Sequence, residues 1–161
     1  GLLKAVRYLL SEKADVHSTQ SFSATPLHNA VFGGRQTTRT AIVNLLMDND
    51  ADPEKRNQLG MTVLAVACMK CQTDGGVECV RNLLQRGARV DAVDHQGQTA
   101  LHLASLFGGR AEIVQLLIQY GSVINQKIVP ETIMGGFLLN VSRLGASFGA
   151  ESAFLRHFGE A

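Results

Sequence analysis

Apolar residues in the first 125 positions fall into short blocks with helical spacing, and the blocks themselves recur. In Thr25-Pro26-Leu27-His28-Asn29-Ala30-Val31, the residues Leu27, Ala30 and Val31 share one helical face. The openings Thr62-Val63-Leu64-Ala65 and Thr99-Ala100-Leu101-His102 follow, each 37 residues after the one before. A second apolar block follows each opening: Ala41-Ile42-Val43-Asn44-Leu45-Leu46, Val80-Arg81-Asn82-Leu83-Leu84 and Ile113-Val114-Gln115-Leu116-Leu117. Val6-Arg7-Tyr8-Leu9-Leu10 is an earlier copy of this second block. The motif Ala14-Asp15-Val16 follows it and is echoed at Ala51-Asp52-Pro53 and Ala88-Arg89-Val90.

The polar punctuation fits a unit of helix, turn, helix and hairpin-like loop. Thr25, Thr62 and Thr99 stand where a hydroxyl accepts from a free N–H at a helix start. Pro26 suits the first helical position, where its missing N–H costs nothing. Gly87 and Gly121 fall where the second helix ends and supply a left-handed cap. Asp50 stands at this point in an earlier copy, and Asp tolerates that conformation better than most residues. Gly60 and Gly97 each lie two residues before a capping Thr, which predicts a turn there.

Taken together, Gly97-Gln98-Thr99-Ala100-Leu101-His102-Leu103-Ala104, Ile113-Val114-Gln115-Leu116-Leu117 and Gly121 resemble an ankyrin repeat. Thr25-Pro26-Leu27-His28-Asn29-Ala30 does so too, and the resemblance covers about residues 1–125. It implies an all-α solenoid of stacked helix-turn-helix units with hairpin-like loops. The half repeat would span 1–24, with repeats at 25–61, 62–98 and 99–125. In this family the opening His hydrogen-bonds neighbouring backbone and links repeats, a role that the resemblance assigns to His28 and His102.

The chain departs from the pattern in several places. A typical repeat has about 33 residues, and the extra residues here fall between the helices, within 33–40 and 70–77. The middle opening has Val63 and Ala65 where Pro and His are usual, so its first helix is expected to start less firmly. Pro53 replaces the usual Val, which predicts a reshaped loop. From Gln126 onward the pattern breaks, and 126–161 reads as a degenerate C-terminal cap or an incomplete repeat.

Composition narrows the function. The chain has 161 residues, 45% hydrophobic and 18% charged, which argues against disorder. A net charge of +1 and the absence of Trp give no field or stacking platform for nucleic acid. No apolar run reaches the roughly 18 residues that a membrane helix needs. Three Cys in one short region do not look like a disulfide framework and suggest a reducing, intracellular and cytoplasmic setting. The chain begins with Gly1, which is compatible with a fragment of a larger protein.

Chemical motifs are sparse. Cys68 and Cys71 have metal-ligand spacing and Cys79 follows, but a structural zinc site needs a fourth ligand. Buried Cys more commonly acts as a small hydrophobe. Gly33-Gly34, Gly75-Gly76 and Gly108-Gly109 lack the context of a nucleotide loop and read as turns. No nucleophile–base or paired-carboxylate constellation stands out, so neither an enzymatic role nor a cofactor is expected. Asp15, Asp52, Asp91 and Asp94 read as solvated turn residues.

Two surfaces are candidates for a protein partner. Phe32, Met69 and Leu106 recur at one late position of the first helix, with Asn29, Val66 and Leu103 one turn earlier. By resemblance this column faces the concave groove, where contiguous apolar area marks a binding site. The competing reading buries the column against the inter-helix insertions. The second surface is the row of loop tips, with Phe22, Arg56, Gln58, Asp94 and His95. The expected role is therefore a monomeric scaffold or adaptor that binds a protein, not a nucleic acid or a membrane. The alternatives are a regulatory module of a larger enzyme or channel and a metal- or redox-responsive repeat built on the cysteines.

Overall fold

The computed structural model describes residues 1–33, 36–70 and 74–124. Among these residues lie seven α-helices, one 3-10 turn at Ser21–Ser23 and no strand. The helices are α1 (Leu2–Ser11), α2 (Pro26–Gly33), α3 (Gln36–Met47), α4 (Val63–Lys70), α5 (Asp74–Gln85), α6 (Ala100–Leu106) and α7 (Ala111–Gln119). The segment 126–161 and Cys71 lie outside the described residues, as does part of each inter-helix insertion.

The helices form two layers. The inner layer stacks α2 on α4 on α6, and the outer layer stacks α1, α3, α5 and α7 in order. Within each repeat the pairs α2–α3, α4–α5 and α6–α7 close the core between the layers. Equivalent residues line up through the stack. Leu27, Leu64 and Leu101 are all buried, as are Leu46, Leu83 and Leu117. Burying one such leucine contributes roughly 1.5–3 kcal/mol. Cys68 occupies the place of Val31 and Ser105, and Cys79 that of Ile42 and Ile113. Both thiols are fully buried in the core cluster.

Helix starts follow the threonines. Thr99 Oγ1 accepts from the His102 N–H at 3.4 Å, and His102 Nδ1 accepts from the Thr99 N–H at 3.0 Å. This is a capping box with His in the place of Glu or Gln. Thr25 and His28 repeat it. Thr62 accepts from the Ala65 N–H at 3.4 Å, and Ala65 has no ring to return the bond. α4 nevertheless starts directly after its threonine, as α2 and α6 do. It is buried from Val63 to Cys68, between α2 and α6.

Helix ends also repeat. Lys13, Asp50, Gly87 and Gly121 all have positive φ, between +63° and +91°. The next residue's N–H bonds back to Leu9, Leu46, Leu83 or Leu117 at 2.9–3.0 Å, closing a Schellman motif at each site. Asp50 and the two glycines match the sequence reading, whereas Lys13 carries no such signal. Pro53 does not reshape its loop. The turn at 53–54 falls where those at 16–17 and 90–91 do. Proline's fixed φ suits the first central position of a common turn.

Candidate protein-interaction surface

An equivalent backbone bond closes each loop tip. The N–H of Gln20, Asn57 and Asp94 donates to the carbonyl of Ala24, Met61 and Gln98, at 3.0 Å in each case. Side chains reinforce two of these turns. Asn57 Oδ1 accepts from Leu59 and Met61 N–H at 2.9 and 3.0 Å. Asp94 Oδ1 accepts from Gln96 and Gln98 N–H at 2.8 and 2.9 Å. The carboxylate of Asp94 is therefore engaged within its own turn, and the residue is buried. This corrects the expectation of Asp94 as a solvated tip available to a partner, because its place in the turn removes it from the surface.

The tips are fastened to one another. Gln58 N–H donates to the Phe22 carbonyl at 2.7 Å, and His95 N–H to the Leu59 carbonyl at 3.1 Å. Arg56 donates from one guanidinium nitrogen to the carbonyls of Gly60 and Val93. The side chains of Phe22, Gln58, Leu59 and His95 remain exposed on this frame, Phe22 at 70%. Phe22 and Ser23 both take positive φ, at +61° and +53°, without being glycine.

His28 fixes the register between repeats. It is buried, and its Nδ1 accepts from the Thr25 amide, with the Thr25 hydroxyl at 2.9 Å. Nε2 therefore carries the proton and donates to the Met61 carbonyl of the next repeat at 3.1 Å. Burial holds the His28 pKa below its ordinary value, partly opposed by the bond to Met61. Both candidate histidines cap their helices, and His28 bridges to the next repeat.

The inner-helix column divides along its length. Phe32 is 58% exposed, and Met69 and Leu106 are half-buried. Asn29 is exposed and reaches Gln20 Oε1 at 3.5 Å, joining the inner-helix face to the tip row. Val66 is 4% exposed and Leu103 is 1% exposed. This corrects Val66 as a contact residue. One turn earlier on the helix, it points between α2 and α6, into the core cluster. Two residues were missed. Lys70 is exposed and holds its Nζ over the Phe32 ring, 4.7 Å from the centroid. Phe107, one repeat further along at the same position, is exposed at the end of α6. Their spacing of 37 from Gly33 to Lys70 to Phe107 was the available signal.

An apolar cavity of about 460 Å³ opens beside this face, lined by Leu2, Val6 and Leu9 of α1 and by Pro26, Asn29 and Ala30 of α2. α4 has an inner helix on each side, whereas α2 has α4 on one side and this cavity on the other. Among the described residues no group of three His, Cys, Asp or Glu side chains is arranged to hold a metal, and no helix is long and apolar enough to cross a membrane.

Comparison with known proteins gives a consistent family. A family model described as ankyrin repeats, in three copies, matches residues 1–74 and 35–128. The chain is 32% identical to NF-kappa-B inhibitor alpha of Sus scrofa over 125 residues, 76% of this chain and 38% of that protein. It is 37% identical to Inversin of Mus musculus over 94 residues, 58% of this chain and 8% of that protein. It is also 36% identical to the E3 ubiquitin-protein ligase XBAT33 of Arabidopsis thaliana over 103 residues, 63% of this chain and 18% of that protein. The match thus spans well under half the length of each of these relatives.

Proposed function

The chain belongs to the ankyrin-repeat family, and on that premise we propose that it is a protein-binding scaffold or adaptor whose partner lies across the inner-helix face and the loop tips. The observation that carries this reading is the exposure of Phe22 and Phe32 on a hydrogen-bonded frame. Exposed aromatic side chains beside half-buried Met69 and Leu106 form the kind of apolar patch that marks a binding site. The frame is fixed by His28 to Met61, Gln58 to Phe22 and His95 to Leu59, so little ordering is left to be done on binding. In this reading Phe32, Met69 and Leu106 supply apolar contact, and Asn29, Arg56, Gln58 and His95 set register. The mechanism is recognition without chemistry, by a chain that acts as a monomer.

The repeats are read as a half repeat at 1–24 followed by 25–61, 62–98 and 99–125. A second reading, a regulatory module within a larger enzyme, is favoured by the short share of the ligase that the match covers. Affinity capture from cell extract with the full chain and with Phe32→Ala tests the main reading. The variant should lose at least about fivefold of its specific partner while keeping its helical signal and melting point. Equal loss of folding would assign Phe32 to the core and end this reading.

A further inference from the structure

We infer that the partner segment is acidic as well as apolar: a peptide stretch in which Asp or Glu side chains sit beside Phe, Leu or Met. This rests on the reading of the inner-helix face as the binding surface. Each repeat contributes one tip and one inner helix to that face, at 19–33, 56–70 and 93–107. These three segments contain a single carboxylate, Asp94, which is buried and accepts two backbone N–H groups. The other carboxylates of residues 1–124 lie on the outer helices and the loops that follow them, among them Asp48, Asp50, Asp52 and Glu54. The net charge is only +1, so the bias of this face comes from segregation and not from overall charge.

Two exposed cations stand on the face. Arg56 bonds to two backbone carbonyls through one guanidinium nitrogen, which holds the group in place without neutralising its charge. Lys70 lies over Phe32, so a group that covers the ring also meets the ammonium. Covering Phe32 with an apolar side chain strips water from Lys70, and an unpaired buried cation is costly. A carboxylate beside the apolar anchor removes that cost. A basic segment would meet Lys70 and Arg56 with no exposed carboxylate on the face to pair with. Two cations are too few to hold a phosphate backbone, whose affinity grows with each neutralised phosphate. An acidic peptide is the occupant that the charge and the apolar surface both fit.

A displayed random dodecapeptide library selected on the full chain tests this, with each binder retested on Phe32→Ala and Lys70→Glu. The inference expects binders that are lost on Phe32→Ala and enriched in Asp or Glu beside Phe, Leu or Met. Lys70→Glu should weaken them about fivefold, and added salt should weaken them further. Phe32-dependent binders with no acidic enrichment, or with no response to Lys70→Glu, would overturn this inference and leave the face as a binding surface. If no selected binder depends on Phe32, the reading of the face itself fails, and this inference with it. Circular dichroism of both variants confirms that the fold is intact before binding is scored.

Discussion

Replacing Gly60 with alanine tests whether the loop tips pack on one another as described. Gly60 and Gly97 are equivalent residues of successive tips, with φ of +78° and +75°. Alanine in that conformation costs about 1 kcal/mol at either site. Their surroundings differ. A Cβ on Gly97 meets nothing within 4 Å, whereas one on Gly60 would lie 2.5 Å from His95 Cδ2 and 2.8 Å from the His95 amide nitrogen. The exposed His95 ring can swing aside. The amide cannot, because it donates to the Leu59 carbonyl at 3.1 Å. Breaking that bond adds about 1 kcal/mol, and the displaced tip adds more. Gly97→Ala should therefore cost about 1 kcal/mol and Gly60→Ala about 2–3 kcal/mol. Urea melts should separate the two variants, and thermal midpoints should differ by roughly 3–6 °C. Equal destabilisation within about 0.5 kcal/mol would refute the inter-tip contact, since the close approach of His95 is what a Cβ meets at Gly60 and not at Gly97.

Other outcomes follow from the same geometry. Ser23 stands at the position of Gly60 and Gly97 with φ +53°, so Ser23→Gly should raise stability by up to about 1 kcal/mol in urea melts; a loss would mean that the serine side chain is needed there. Ser105 buries a hydroxyl with no hydrogen-bond partner where Cys68 and Val31 stand in the neighbouring repeats. Ser105→Cys should stabilise the chain by about 1 kcal/mol, again by urea melting. Burial lowers the His28 pKa in the folded state, so its contribution is complete above the ordinary value of 6.5 and is lost as pH falls from there toward the folded pKa. Melts at pH 7.5, about 6 and about 5 should show this decline, and His28→Asn should remove part of the slope; an unchanged slope would place the titration elsewhere.

Much of the fold was legible because ankyrin-type repeats write their structure locally. Threonine at a helix start, glycine at a helix end and leucine at helical spacing each act within a few residues. The cysteine reading rested on the missing fourth ligand of a zinc site, and the structure places Cys68 in a column with Val31 and Ser105 and Cys79 in one with Ile42 and Ile113. What was missed depends on neighbours that only stacking supplies. Val66 has the register of a groove residue, yet α2 and α6 close over it on both sides. Asp94 has the composition of a solvated turn, and its burial follows from two backbone N–H groups converging on one carboxylate oxygen. Lys13 takes a left-handed conformation that no residue preference announces, because the cap bond of Ala14 to Leu9 holds it there. Lys70 lies over Phe32 across a repeat boundary, a pairing visible only once α2 and α4 are packed.

The central claim, that a partner lies along the inner-helix face and the tips, is tested most directly by hydrogen exchange on the full chain with and without a bound Phe32-dependent peptide. Protection should rise around Phe22, Phe32, Leu59 and Met69 and stay unchanged on the outer helices α3, α5 and α7. Protection concentrated on those outer helices, or on the loop from Asp48 to Glu54, would contradict the account.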